Sequence, residues 1–197
     1  MYINNMIEND VNNTNGINWL IDYTGEYSVI QKQIDCNVIP LDTLHSNYVN
    51  PFELHDKNTT TDKSAISQMI EQKIEFLCNF LNKLLEQSEF LKNEIALICQ
   101  KMYDDYLHHM TEMPTPQTFC DYIKEIPSDS CQAFVLYLKM FCQNSCYDMF
   151  AYPTNIKVSK DTINIFDLRQ MPNCLKSAVA MVIQEYLQKS ILNIQTE

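Results

Sequence analysis

Glycine is almost absent from this chain: Gly16 and Gly25 are the only two among 197 residues. A phosphate-binding loop of the form G-x-x-x-x-G-K-[ST] cradles phosphates with glycine backbone N–H groups, and it needs a glycine directly before its lysine. Neither glycine precedes a lysine. The sequence therefore excludes such a loop within the chain.

Basic residues are also few. Lysine and arginine together number 14 against 25 acidic residues, which gives a formal net charge of −11, and Arg169 is the only arginine. Electrostatic binding of nucleic acid requires clustered lysines and arginines. The sequence contains no such cluster, so we expect a solvated acidic surface and no direct contact with DNA or RNA.

Long hydrophobic runs are missing as well, although 46% of the residues are hydrophobic and can fill a core. Charged residues interrupt the apolar windows every few positions, which predicts no transmembrane helix. The Asn-rich N-terminal stretch lacks the apolar core of a signal peptide. We therefore expect a cytoplasmic location.

Cysteine, in contrast, is frequent, and eight residues could form disulfides or bind metal. In the cytoplasm thiols stay reduced, so we expect no disulfides. Structural zinc uses paired cysteines, and the one close pair, Cys142 and Cys146, has no second pair or nearby histidine. Cys78, Cys99 and Cys142 have apolar neighbours, which indicates core positions.

The hydrophobic pattern divides the chain into three parts. Residues 1–60 contain the short apolar runs INWLI (17–21) and NVIPL (37–41), each typical of a buried strand. Residues 147–197 predict a strand hairpin around 159–161, whose second strand is INIFD (163–167), and then a helix from Asn173. We expect the strands near 17–21 and 163–166 to share one sheet.

Between these parts, residues 61–146 repeat apolar positions every 3.6 residues, which predicts about four helices. The first has Asp62 or Ser64 as its N-cap, and the second opens at Ser88. The third begins with Thr115 as cap and Pro116 at the first helical position. A fourth runs from about 129 to 142. The whole pattern predicts an α/β fold with a helical insertion.

Acidic residues follow the strand-like runs. In open α/β sheets, ligands bind beyond the carboxyl ends of the strands, so Asp22, Glu26 and Asp167 are expected at a shared crevice. Gly25 permits the tight turn that brings Glu26 back over this edge. An aspartate after a strand is also a common turn or cap residue, and this alternative stays open.

Several short motifs resemble those of one family. Asp22-Tyr-Thr-Gly-Glu26-Tyr27 resembles the Asp-Pro-x-x-Glu-Tyr signature in the second strand of the conjugative-transfer ATPases of type IV secretion systems, which are cytoplasmic motors with a RecA-like core. Asn50-Pro51-Phe52 is similar to the step that leads into the family's all-helical insertion. Phe150, Thr154-Asn155 and Ile165-Phe166-Asp167-Leu168 are similar to its return strand. The order and spacing agree from about 18 to 191.

The resemblance implies a fragment of a RecA-like P-loop ATPase sheet with an inserted all-α subdomain of about four helices. Its parts would be 1–60 and 147–197 in the α/β domain, and 61–146 in the insertion. It further implies that Asp22 and Glu26 frame a nucleotide site, with ATP and magnesium as cofactors of the full-length family. The implied partners are protein subunits of a secretion or conjugation complex, copies of this chain among them, with inner-membrane association only through partners.

The sequence departs from the family pattern in two ways. Tyr23 replaces the proline of the signature, and both the phosphate-binding loop and an apolar strand ending in Asp-Glu are missing. In the family these two motifs flank the region seen here. We therefore expect the middle of such an ATPase, as a cloned piece, a truncated gene product or a degenerate relative. On its own it would bind no cofactor and not hydrolyse ATP.

A second interpretation is a non-enzymatic α-helical protein-interaction module, with the strands as scaffold. Parallel pairing of the strands near 17–21 and 163–166 would favour the ATPase interpretation.

Arg169 follows INIFD by two residues and is expected at the same sheet edge as Asp22. A guanidinium beside carboxylates favours a local ion pair. The alternatives are a solvated side chain or a finger that reaches the phosphate of a neighbouring subunit.

Overall fold

The computed structural model describes residues 11–14, 16–27, 31, 33–42, 45–54, 62–85, 92–126 and 129–190. The predicted helix start at Ser88 lies outside them. Four strands and five α-helices form within them: β1 Asn12–Thr14, β2 Ile17–Asp22, β3 Cys36–Pro40, α1 Lys63–Leu85, α2 Lys92–His108, α3 Pro116–Ile123, α4 Asp129–Leu138, β4 Ile163–Asp167 and α5 Asn173–Ser190.

The chain forms two compact units. Tyr48–Thr154 make up one, here called the helical unit, and it is wider at both ends than the predicted insertion at 61–146. The described residues up to Asn47 and from Asn155 onward make up the other, here called the sheet unit.

The sheet has the strand order β1-β2-β4-β3. β1 and β2 are antiparallel, and the turn between them includes Gly16 with a φ of +87°. β2, β4 and β3 are parallel, so that Leu20 is the register partner of Ile165 and Ile165 that of Val38. This confirms the prediction that the strands near 17–21 and 163–166 belong to one sheet.

The predicted strand hairpin around 159–161 is wrong, because residues 153–159 form no strand and β4 has no hairpin partner there. β2 and β3 flank β4 on both sides, so both hydrogen-bonding edges of β4 are already used. Instead, the Ser159 backbone N–H donates to Asn164 Oδ1 at 2.8 Å, which shapes the turn before β4.

Two helices of the helical unit, α1 and α3, begin at the residues that their caps predict. Asp62 Oδ1 accepts the backbone N–H of Ser64 at 2.9 Å just before α1. Thr115 caps α3, with Pro116 at its first position, and forms a capping box with Thr118. Side-chain acceptors therefore satisfy N–H groups that a helix start leaves without an intrahelical partner.

Several aromatic side chains contact one another in the core of the helical unit. Phe119 lies between Phe52 and Phe134, with ring centroids 5.6 and 6.1 Å away. Phe150 contacts Phe80 and Phe141 at 5.6 and 5.7 Å. The fourth helix was expected to reach 142, but α4 ends at Leu138 and a 3-10 turn, Lys139–Phe141, follows before an extended Cys142. That turn carries Phe141 into the core.

All eight cysteines have free thiols, and Cys78, Cys99 and Cys142 are buried, as predicted. Burial raises the pKa of the Cys99 thiol far above its ordinary value, with a smaller contribution from Cys78. None of the described helices combines the length and the hydropathy that a membrane span requires.

Candidate functional site

Each of the three parallel strands has an aspartate at its carboxyl end or two residues beyond it. β2 ends at Asp22, β4 ends at Asp167, and Asp42 comes two residues after the end of β3. All three side chains are buried. Asp22 and Asp167 are register partners, so their side chains leave the sheet on the same face. Asp22, Asp42 and Asp167 define what is here called the carboxyl edge.

The backbone ladder continues past the strands at this edge. Leu168 donates its N–H to the Asp22 carbonyl at 2.8 Å, and Leu41 donates to the Asp167 carbonyl at 3.0 Å. Buried backbone groups at the strand ends are thereby paired, which fixes Asp22 beside Asp167, while Asp42 lies two residues beyond Pro40, the register partner of Asp167 on β3.

The Asp22 carboxylate organises the turn that follows β2. Its Oδ1 accepts the N–H groups of Thr24 and Gly25 at 3.1 and 2.6 Å, and its Oδ2 accepts the N–H of Tyr27 at 3.2 Å. Gly25 has a φ of +88°, a conformation that side chains disfavour. As a result the turn folds back on the aspartate and leaves Glu26 exposed.

Arg169 forms the local ion pair expected from the sequence, with Asp167 as its partner. The guanidinium Nε and Nη2 lie 2.8 and 2.7 Å from Asp167 Oδ2, and the Arg169 backbone N–H donates to Oδ1 at 3.0 Å. A Cβ built on Gly25 would lie 2.9 Å from Arg169 Cδ. The missing side chain of Gly25 therefore makes room for the arginine, which connects the β2 and β4 ends.

Two further groups at this edge were not singled out from the sequence. Asp42 Oδ1 accepts the His45 backbone N–H at 3.0 Å, and the His45 ring Nδ1 lies 2.8 Å from the same oxygen. Lys176 donates its Nζ to the Tyr23 carbonyl at 2.6 Å. The signal for Asp42 was its position directly after NVIPL, which repeats the strand-then-acid pattern of the other two strands. Nothing local indicated Lys176.

The carboxyl edge does not fit a complete phosphate and magnesium site. Three N–H groups of the Tyr23–Tyr27 turn are bonded to Asp22, so they offer no cradle to a phosphate. The Asp167 carboxylate is held by Arg169. Among the described residues, no group of three or more His, Cys, Asp or Glu side chains is arranged to hold a metal ion. These residues can shape and charge a site, with Glu26 as the exposed acid.

Comparison with known proteins identifies the fold. No family model and no curated protein matches the sequence. Among solved structures, the chain is similar to VirB4 of Thermoanaerobacter pseudethanolicus, with a TM-score of 0.67 and 15% sequence identity. The alignment covers 89% of this chain and 69% of that chain. At this identity the similarity shows a shared mixed α/β fold.

Proposed function

We propose that this chain is the central portion of a conjugative-transfer or type IV secretion motor ATPase, with a RecA-like sheet and an inserted helical subdomain. VirB4, whose fold it shares, is a type IV secretion ATPase. The observation that carries the proposal is the parallel pairing of β2 with β4, which aligns Asp22 with Asp167 at the carboxyl edge. Ligands of open α/β sheets bind at such an edge.

The motif residues at the two ends of the helical unit support the same proposal, because they are joined in space. The Asn50 backbone N–H donates to Thr154 Oγ1 at 2.9 Å, and the Thr154 N–H donates to Glu53 Oε2 at 3.1 Å. Asn50 Oδ1 also accepts the N–H of Phe52 at 3.0 Å. The Asn-Pro-hydrophobic step and the Thr of the return segment thus close the insertion where the chain enters and leaves it.

The two predicted site residues take different roles in this proposal. The Asp22 carboxylate already accepts hydrogen bonds from three backbone N–H groups, so Asp22 acts as a positioning residue for the turn. Glu26 is exposed and is the acid that would face a nucleotide. The phosphate-binding loop and the acids that hold the metal and activate water would come from outside this chain, so that ATP and magnesium are cofactors of the whole motor.

The proposed setting is the cytoplasm, as one subunit of a secretion or conjugation complex, with neighbouring subunits or further copies of the chain as partners. The non-enzymatic interaction module remains the second interpretation. It gives no reason for parallel strands that end in aligned aspartates, and the ATPase interpretation does.

A calorimetric titration of this chain with ATP and magnesium tests the first consequence. We expect no turnover and a Kd of about 1 mM or weaker, because the sequence contains no phosphate-binding loop and the turn N–H groups after β2 are already bonded to Asp22. Micromolar binding would contradict this and indicate an unrecognised phosphate site.

The reading frame that encodes the chain supplies the second test. We expect a Gly-Lys-Ser or Gly-Lys-Thr loop upstream and an Asp-Glu strand downstream. Their absence would refute the proposal that this chain is part of a motor ATPase. In the protein encoded by that whole frame, Glu26→Gln should raise the KM for ATP several-fold. Glu112→Gln, which changes an exposed glutamate of the helical unit, is the matched control and should leave KM unchanged.

A further inference from the structure

The helical unit carries an open apolar groove between α1 and α2 that the proposed function does not use. The groove has a volume of about 470 Å³. Its apolar lining combines side chains from both helices: Ile74, Cys78, Ala96 and Leu97. Leu97 is 72% exposed, which is the largest exposure of any large hydrophobic side chain among the described residues. Burying an exposed leucine side chain is favourable, so this apolar lining favours a partner that covers it.

One rim of the groove is acidic. Glu71 and Glu75 both line it, are exposed, and lie one turn apart on α1. No salt bridge in the described part of the chain involves either carboxylate. Like charges at this helical spacing repel each other weakly, and a cation placed between them would relieve the repulsion.

The shape and charge of the groove specify one kind of occupant. We infer that it binds an amphipathic helix of a partner protein, with an apolar ridge on Leu97 and lysines or arginines against Glu71 and Glu75. Helix-in-groove recognition uses such a ridge, with apolar residues at every third or fourth position. A second copy of this chain is a poorer occupant, because each copy has a net charge of −11.

A model peptide tests this inference without any nucleotide, so its outcome is independent of the proposed ATPase. The probe is a dye-labelled peptide of about five helical turns, built of leucine and lysine with the leucines on one face. Its binding to the full chain is followed by fluorescence anisotropy at physiological ionic strength. A peptide with glutamate in place of each lysine should bind at least about tenfold more weakly.

Two pairs of variants distinguish the groove from the acidic surface as a whole. Leu97→Ser should weaken binding about tenfold or more, whereas Leu136→Ser, which removes a leucine that is 67% exposed outside the groove, should not. The double variant Glu71→Lys/Glu75→Lys should reverse the preference toward the glutamate peptide. Glu112→Lys/Asp161→Lys makes the same charge change at exposed sites elsewhere and should keep the original preference.

Circular dichroism of each variant controls for folding. The inference is overturned if the lysine peptide fails to bind the unaltered chain. It is also overturned if both members of either pair have equal effects, because binding would then follow net charge or exposed apolar area rather than the groove.

Discussion

The two compact units bury different kinds of side chain. The sheet unit buries the polar residues Asp22, Asp42, Asn164, Asp167 and Glu185. The helical unit buries two groups of contacting aromatic rings, and Phe119 in one group and Phe150 in the other each contact two further rings. Among the described residues of that unit, Asn50 and Lys73 are the buried polar side chains.

Buried polar groups and buried apolar groups contribute to folding in different ways. A buried polar group must find hydrogen bonds of defined geometry, so it selects one arrangement of strands and turns. Apolar burial is non-directional and scales with the buried area. It therefore contributes more to the free energy of folding than the buried polar groups do, but it selects less strongly between alternative arrangements of the chain. We therefore expect large losses of stability from the aromatic core, and smaller but more specific effects from the carboxyl edge.

The largest effect should come from Phe119→Ala. Phe119 is fully buried between two rings, and its truncation should lower the free energy of unfolding by about 3–5 kcal/mol through lost burial and the cavity left behind. Urea denaturation measures this. Leu136→Ala, at an exposed position, is the control and should stay within about 0.5 kcal/mol. A loss of about 1 kcal/mol or less for Phe119→Ala would show that these rings contribute little to the stability of the helical unit.

Asp22→Asn should have a smaller effect. One carboxylate oxygen becomes an NH₂ group, which cannot accept the N–H bonds that Asp22 now receives on both oxygens. We expect a loss of about 1–3 kcal/mol, because a buried N–H group is left without an acceptor. Asp161→Asn, at an exposed position, is the control for the same chemical change. Equal stabilities of the two variants would mean that the bonds to Asp22 do not hold the turn.

Gly25→Ala and Gly16→Ala form a matched pair, because their φ angles are +88° and +87°. Both should lose about 1–2 kcal/mol from the unfavourable backbone conformation. Gly25→Ala should lose more, since the added Cβ meets Arg169 Cδ at 2.9 Å, whereas nothing lies within 4 Å of the one at Gly16. Adding Arg169→Ala should remove this excess. If Gly25→Ala still loses more stability than Gly16→Ala when Arg169 is alanine, the contact between the added Cβ and Arg169 does not cause the difference.

Arg169→Lys should have the smallest effect. The Arg169 side chain is 41% exposed and its ion pair is local, so we expect a change in stability of about 0–1 kcal/mol. ATP turnover by the protein of the whole reading frame should barely change. If Arg169 is instead a finger that reaches a neighbouring subunit, turnover should fall by about 10³-fold or more with folding intact.

Local sequence was enough to predict most of the elements. Apolar runs identified β2 and β3, and Thr115 with Pro116 marked the start of α3. These predictions succeeded because their causes act within a few residues. The prediction of a hairpin around 159–161 was wrong, although the local sequence alternates as a strand does. The edge of β4 that a hairpin partner would need pairs with β3, which lies more than a hundred residues earlier in the chain.

The candidate site was predicted in part. Asp22 and Asp167 were expected at one sheet edge, and the register places them there. Asp42 was missed although it follows a strand in the same way. Lys176 could not be found from the sequence, because its contact with Tyr23 joins positions 153 residues apart. The sequence left open whether Asp22 binds a ligand or stabilises a turn, and only the structure shows three backbone N–H groups of its own turn bonded to the carboxylate.

By itself, the sequence determined what depends on composition and on neighbouring residues: two glycines exclude a phosphate-binding loop, and the change of period separates strands from helices. Only the tertiary structure decided which strands pair. Asn164 shows why: its side chain is fully buried in β4, accepts a bond from Asn37 and donates one to the Asn18 carbonyl, 127 and 146 residues away. Ser159 supplies one local partner to the amide oxygen and one to the amide NH₂ group, and pairing of β4 with β2 and β3 brings Asn18 and Asn37 within reach of the remaining donor and acceptor.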